Sequence, residues 1–350
     1  MKSLTSLPTT EGDPRRPRRL GAEHRTLGAC TSSPTNSRDA PGYTGAVLKY
    51  ILFWVVFRLL GRLPLGVLYT IGDMAAAIGY RVCPGVRANV WDNLRHVMPD
   101  APKSKVRKAA KQVFRNVGYY YADLAHMPHM DLQDFLENRM ILHGVRETLL
   151  PLLESGQGVV MLSAHYGNAE LAMQAMIPLG QKMAAVTEPI KPPALSRLLN
   201  EVRSSSGHVF HPVSVGGAKR IIQALRNGQA VALMGDRDIK GPRMRLPFFG
   251  RETWMPTGPI EVGLRIGCPI YPSFSARRGR FGLECWLEEP LYVERTDDFQ
   301  ADVRALELQY IARLEQRLRD EPDQWAVFER IWDAPQAKVE QRRETQKAAA

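Results

Sequence analysis

His165 and Glu170 stand in the run Ala164-His165-Tyr166-Gly167-Asn168-Ala169-Glu170, between the apolar stretch Gly158–Ser163 and an amphipathic stretch from Leu171 to Met176. That order reads as strand, turn and helix. A histidine in such a turn, with a carboxylate one helical turn further on, can have its tautomer fixed and its basicity raised by that carboxylate. Such a pair can take a proton from a hydroxyl group without a metal. The same letters also suit a plain strand-to-helix connection, with Asn168 as the cap and Glu170 at the positive helix end. A short motif of this kind is decided by its company.

The company is a second polar cluster. Met234-Gly235-Asp236-Arg237-Asp238 ends another strand, and Lys240-Gly241-Pro242-Arg243 leads to Leu246-Pro247-Phe248-Phe249-Gly250-Arg251 and then Pro256-Thr257-Gly258-Pro259. A carboxylate and a guanidinium at a strand's carboxyl end, near a glycine-bearing helix start, fit an anion-binding crevice. An ion pair beside a Pro/Gly turn would give the same residues. The chain has no GxSxG elbow, Walker loop, GxGxxG after a strand or HExxH. Serine-hydrolase, nucleotide-hydrolase and zinc-peptidase chemistries are thereby excluded.

The elements that must position these groups alternate. Apolar runs at Gly158–Ser163, Met183–Thr187, Ala230–Gly235, Pro269–Phe274 and Phe281–Leu287 read as strands. Helical spacing marks Ser104–Met127, Pro193–Ser205, Gly216–Asn227, Gly258–Ile266 and Phe299–Leu318, with Val106, Ala109, Val113, Val117 and Tyr121 on one side of the first. Helices interleaved with buried strands predict an α/β layered domain on a mixed or mainly parallel sheet, spanning residues 83–335.

The chain has 350 residues, 44% of them hydrophobic, enough for one large α/β domain or two modest ones. Four widely spaced cysteines give no zinc or disulfide pattern and fit a reduced, intracellular body. A formal charge of +11 suits anionic partners, whether nucleic acid, a membrane face or phosphate-bearing substrates, and also simple solubility. Residues 1–44 are rich in Pro, Arg and Ser, carry Arg15-Arg16-Pro17-Arg18-Arg19 and lack apolar periodicity, so they are expected to be disordered, as is the tail at 336–350. From Ala46 to Ile71 the chain is apolar but broken by Arg58 and Arg62, too soon for the span of about 20 apolar residues that crosses a bilayer. The expectation for residues 45–82 is a helical segment lying in the membrane interface, with Lys49, Arg58 and Arg62 reaching phosphates. A poor single span and an ordinary core helix remain alternatives. Basic residues on the amino-terminal side place that end in the cytoplasm, at the inner face of the plasma membrane.

His165-Tyr166-Gly167-Asn168-Ala169-Glu170, Asp236-Arg237-Asp238, Leu246-Pro247-Phe248-Phe249-Gly250 and Pro256-Thr257-Gly258-Pro259 together resemble the lysophospholipid-acyltransferase superfamily. Within it the chain is most similar to the bacterial lipid A late acyltransferases and phosphatidylinositol mannoside acyltransferases. Asn93-Leu94-Arg95-His96-Val97-Met98-Pro99 and Pro322-Asp323-Gln324-Trp325 with Arg330 and Trp332 resemble that branch's flanking elements. The resemblance covers about residues 45–335. It implies a glycerolipid acyltransferase-like fold and a catalytic dyad of His165 as general base and Glu170 as the group that orients it. It implies polar substrate contacts from Glu188 and Arg203; backbone N–H groups at the Asn168 helix start, or Arg237, would hold the developing oxyanion or a substrate phosphate, with Asp236 beside Arg237 in the crevice. No metal or bound cofactor is expected. The acyl donor would be acyl-coenzyme A or acyl carrier protein, the acceptor a hydroxyl of a (glyco)lipid, and the partners membrane lipids, with no nucleic acid. Ala169 stands where the lipid A enzymes usually have Trp, and the ending lacks a second aromatic-basic pair, so the acceptor is left open. The competing class is a non-enzymatic membrane-surface or nucleic-acid-binding protein, or a silent member of the same family.

Overall fold

The computed structural model describes residues 41–237 and 241–332; the tails and Asp238 lie outside the described residues. Five helices come first: α1 (Pro41–Arg58), α2 (Leu65–Val82), α3 (Pro84–Val97), α4 (Lys103–His126) and α5 (Leu132–Arg139). The expected single interfacial helix over Ala46–Ile71 is therefore two. Pro64, extended at ψ 138°, opens α2 and cannot continue a helix from α1. Both helices pack on the domain. Phe57 of α1 is buried with Leu124 of α4, while Leu65, Leu68 and Tyr69 of α2 meet Tyr119 and Ala122 of α4. Among the described residues, no helix is long and apolar enough to cross a membrane.

The chain then alternates: β1 (Met140–His143), α6 (Leu150–Glu154), β2 (Val159–Ser163), α7 (Ala169–Gln174), β3 (Ala184–Thr187), α8 (Pro193–Arg203), β4 (Val209–Pro212), α9 (Val215–Arg226) and β5 (Ala230–Met234). A hairpin of β6 (Arg243–Phe248) and β7 (Arg251–Pro256) follows, then α10 (Gly258–Ile266), β8 (Ile270–Arg278), β9 (Gly282–Leu287) and α11 (Phe299–Asp320). Among the described residues a seven-stranded sheet runs in the order β1-β9-β8-β2-β5-β3-β4, and β6 pairs with β7 apart from it. Every neighbouring pair in the large sheet is parallel except β8 with β9. The mixed α/β architecture with a mostly parallel sheet agrees with the expectation.

The pleat of β2 divides the core. Val160 and Leu162 face a cluster with Ile221 of α9, Ile260 of α10 and Leu306, Tyr310 and Leu314 of α11. Val159 faces Leu149, Met173, Met176 and Met183 on the opposite side. Burial on both faces is why the strand reads as a continuous apolar run instead of an alternating one. Each fully buried large aliphatic here contributes about 1.5–3 kcal/mol relative to exposure.

Candidate active site

β2 and β5 are adjacent and parallel, with Ser163 opposite Met234 at their carboxyl ends. Two residues beyond those ends, His165 and Asp236 come side by side. The imidazole Nδ1 and Asp236 Oδ1 are 2.8 Å apart, and the His165 backbone N–H donates to Asp236 Oδ2 at 3.0 Å. Gly235 makes this approach possible, because a Cβ there would stand 2.7 Å from Leu162 Cδ1 and 2.9 Å from the Tyr310 ring. On the other side of the histidine, Gly167 turns at φ +63°, where a Cβ would collide with the carbonyl of Ser275.

Asp236 is fully buried. Burial opposes its charge, but the imidazole beside it and hydrogen bonds from His165 and Trp325 outweigh that and hold the carboxyl below its usual range. The carboxylate is thus the ring's hydrogen-bond partner. With Nδ1–H donating to Asp236, Nε2 is the nitrogen left to accept a proton.

Glu170 does not hold the ring. Its two oxygens meet Arg203 at the end of α8, Oε1 at 2.9 Å from Nη2 and Oε2 at 3.0 Å from Nε. The same guanidinium donates to the hydroxyl of Tyr120 at 3.1 Å. Burial works against the Arg203 cation, but Glu170 and Tyr120 outweigh it and leave the group more basic than usual. Burial and the charge of Glu170 push the Tyr120 phenol up, so it stays neutral. Both carboxylate oxygens of Glu170, expected beside the His165 ring, are engaged instead by this bidentate clamp.

Asn168 is the N-cap of α7, its Oδ1 accepting from Leu171 N at 3.0 Å. Its amide donates to Asp123 of α4 at 2.8 Å, and Asp123 also takes hydrogen bonds from Arg277 and Tyr69. The Asn168 side chain is therefore committed to fixing the turn, while Asn168 also lines the cavity beside His165. Nothing in the local sequence marked Asp123 or Tyr120; each comes from α4, far away in the chain.

A cavity of about 730 Å³ opens above these groups, lined by His165, Glu170, Arg203, Glu188 and Arg237 together with apolar side chains such as Val186 and Ile221. Arg237 lies between Glu188 at 3.7 Å and Glu329 at 3.3 Å, and among the described residues its buried Nε has no hydrogen-bond partner. Expected substrate residues Asn168, Glu188, Arg203 and Arg237 are thus brought to one cavity, and Glu329 joins them from the closing segment. Beneath it, a narrower apolar space is lined by Met161, Met173, Met176 and Met183 and shares Glu170, Val186 and Thr187 with the main cavity.

A histidine held by a buried carboxylate beside a mainly apolar cavity, at the carboxyl ends of a parallel sheet, is an arrangement able to activate a hydroxyl next to an apolar ligand. The chain belongs to the family described as bacterial lipid A biosynthesis acyltransferase, which it matches over residues 36–334. It is an acyltransferase of lipid biosynthesis. It is 23% identical over 304 residues to a phosphatidylinositol mannoside acyltransferase of Mycobacterium tuberculosis, covering 85% of this chain and 92% of that one. It is 24% identical over 271 residues to the phosphatidylinositol mannoside acyltransferase of Mycolicibacterium smegmatis, covering 75% and 85%.

Proposed function

We propose that this protein transfers a fatty acyl group from a thioester, on coenzyme A or acyl carrier protein, to a hydroxyl of a membrane glycolipid of the phosphatidylinositol mannoside kind. The observation that carries the reading is His165 Nδ1 at 2.8 Å from a fully buried Asp236, beside a cavity whose walls are mostly apolar. Asp236 fixes the Nδ1–H tautomer and stabilises the imidazolium that forms. Nε2 takes the acceptor's hydroxyl proton as the oxygen bonds to the thioester carbonyl carbon. The C–S bond then breaks, and the leaving thiolate takes the proton back from the imidazolium. The products are an ester and a free thiol, so atoms and charge balance.

The Met-lined space beside Glu170 suits the acyl chain, since methionine adapts to an apolar guest. Arg237, with a spare buried Nε–H, and Glu188 suit the polar head of the acceptor. The Glu170–Arg203 clamp shapes the wall between the two.

Membrane association belongs to the same reading. Leu48, Ile51, Leu52 and Trp54 of α1 are exposed at 66, 49, 59 and 40%, and Val67, Met74, Ile78 and Val82 of α2 are exposed as well. Such faces favour the lipid interface, where both substrates reside. Of the cations expected at phosphates, Arg58 pairs with Glu201 at 2.5 Å and Lys49 donates to the Lys191 carbonyl at 3.5 Å. Arg62, the third, is exposed, so charge adds to apolar contact in seating this face on lipid. The test is transfer of labelled palmitate from palmitoyl-coenzyme A to purified phosphatidylinositol mannosides. Turnover by the parent chain and its loss in His165→Gln support the reading, whereas equal turnover in the two overturns it.

A further inference from the structure

The closing segment Pro322–Trp332 is built into the catalytic turn. Gly167 N–H donates to Gln324 O at 2.8 Å and Ala326 N–H to His165 O at 2.7 Å, so the segment pairs with the backbone on both sides of Tyr166. Asn93 of α3 ties its far end, donating to Glu329 O at 2.7 Å and accepting from Ile331 N at 3.2 Å. Held this way, Trp325 is 2% exposed and its indole N–H donates to Asp236 Oδ2 at 2.9 Å. Asp236 thus receives three hydrogen bonds, two on Oδ2 and one on Oδ1.

We propose that Trp325 is a positioning residue for the base: its N–H holds Asp236 against His165 and sets how strongly that carboxylate draws on the imidazole proton. The kinetic part rests on the acyl-transfer reading, and the geometric part does not. A buried carboxylate that loses one donor keeps its charge concentrated on the remaining contacts, so the imidazolium form beside it gains. The other charged and titratable groups around the pair keep their partners in such a variant. Tyr310 of α11 donates to Ser163 O, Glu170 remains with Arg203, and Arg237 remains with Glu188 and Glu329. The acid limb of the rate profile should therefore move upward. Trp332 provides the control, because it lies on the same segment but its N–H goes to Phe248 O at 2.9 Å.

The experiment uses the full chain as Trp325→Phe and Trp332→Phe. One arm follows kcat/KM against pH with palmitoyl-coenzyme A and phosphatidylinositol mannosides. The other follows the Nδ1 proton resonance in ¹⁵N-histidine-labelled protein, assigned by its loss in His165→Gln. Trp325→Phe should raise the acid limb by about half to one pH unit, up to about a tenfold loss of rate below it, and move the resonance. Trp332→Phe should lower the melting temperature and do neither. An unchanged limb and resonance in Trp325→Phe, or equal changes in both variants, would overturn the proposal. If Trp325→Phe does not fold, benzothienylalanine at 325 keeps the shape without the N–H and must produce the same displacement. Absence of turnover in the parent, with the resonance moving only in Trp325→Phe, would remove the acyl-transfer reading and leave the positioning role standing.

Discussion

Arg203 grips Glu170 with two nitrogens, at 2.9 and 3.0 Å, while His165 rests on Asp236 at 2.8 Å. The two carboxylates nearest the base therefore have separate work. One hydrogen-bonds the imidazole Nδ1, and the other neutralises a buried guanidinium and lines the cavity. Which carboxylate is removed should decide what is lost.

Asp236→Asn is expected to lower kcat by about a thousandfold or more with little change in KM, because an amide can hold the ring in the wrong tautomer. Its fold should survive, since Asn fills the same space. Steady-state kinetics beside thermal melting measures this. Parent-like kcat in the variant would dismiss Asp236 as the ring's partner.

Glu170→Gln should act first on stability. It leaves Arg203, whose side chain is 12% exposed, without its counter-charge. The expected cost is about 1–3 kcal/mol, and Glu170→Gln combined with Arg203→Met should be less destabilised than the sum of the singles. Denaturant titration of all four proteins gives the coupling. Additive effects would mean that the clamp contributes no specific interaction energy.

His208 supplies a pH dependence of stability. It is 2% exposed, and its Nδ1 accepts from Met183 N at 3.1 Å. Burial holds its pKa at about 4 against 6.5. The folded chain thus binds fewer protons at this site than the unfolded chain between those values, and stability falls as pH drops from 6.5 to 4. The full penalty is on the order of 3 kcal/mol, and none of it applies above 6.5. His208→Gln should flatten the decline in melting temperature between pH 6.5 and 4. An identical slope in the variant would assign the acid sensitivity to other groups.

The exposed face of α1 makes a further prediction. Leu48→Ser with Leu52→Ser removes side chains exposed at 66 and 59%, so melting should change little. Binding to vesicles of phosphatidylglycerol and phosphatidylethanolamine should fall about tenfold, since each buried leucine contributes about 1.5–3 kcal/mol and seating is partial. Unchanged sedimentation with vesicles would point to the exposed face of α2 instead.

The runs at Gly158–Ser163 and Ala230–Gly235 were legible as strands because both faces are buried, and with them the turns carrying His165 and Asp236. Their adjacency was not legible, since β2 and β5 meet only after β3 and β4 have crossed to the far side of β5. Glu170 lies one turn from His165 in sequence, whereas the carboxylate at hydrogen-bond distance from the ring is Asp236. β1 and β4 escaped notice as four-residue strands at the two edges, where little burial imposes a pattern. In the hairpin, Pro247 and the arginines of β6 hid an alternation that buries Leu246 and Phe248. Trp325 was visible as part of a closing element, but its contact with a residue 89 positions away appears only in the fold.

Arg237 should govern binding more than chemistry. It lines the cavity, stands between Glu188 and Glu329, and keeps a buried Nε–H without a partner among the described residues. A bound phosphate could take that donor and displace the weaker 3.7 Å contact to Glu188. Loss of a hydrogen bond to a charged group costs about 1.5–3 kcal/mol, or about ten- to a hundredfold in affinity. Arg237→Ala should therefore raise KM for a phosphate-bearing acceptor by that factor while kcat changes little. Arg237→Lys restores charge without the planar fork, so recovery should be partial. Saturation kinetics with acceptor and donor varied in turn distinguishes the cases. A raised KM for palmitoyl-coenzyme A alone would move the arginine to the donor side, and a collapse of kcat at saturation would place it at the carbonyl oxygen where charge develops.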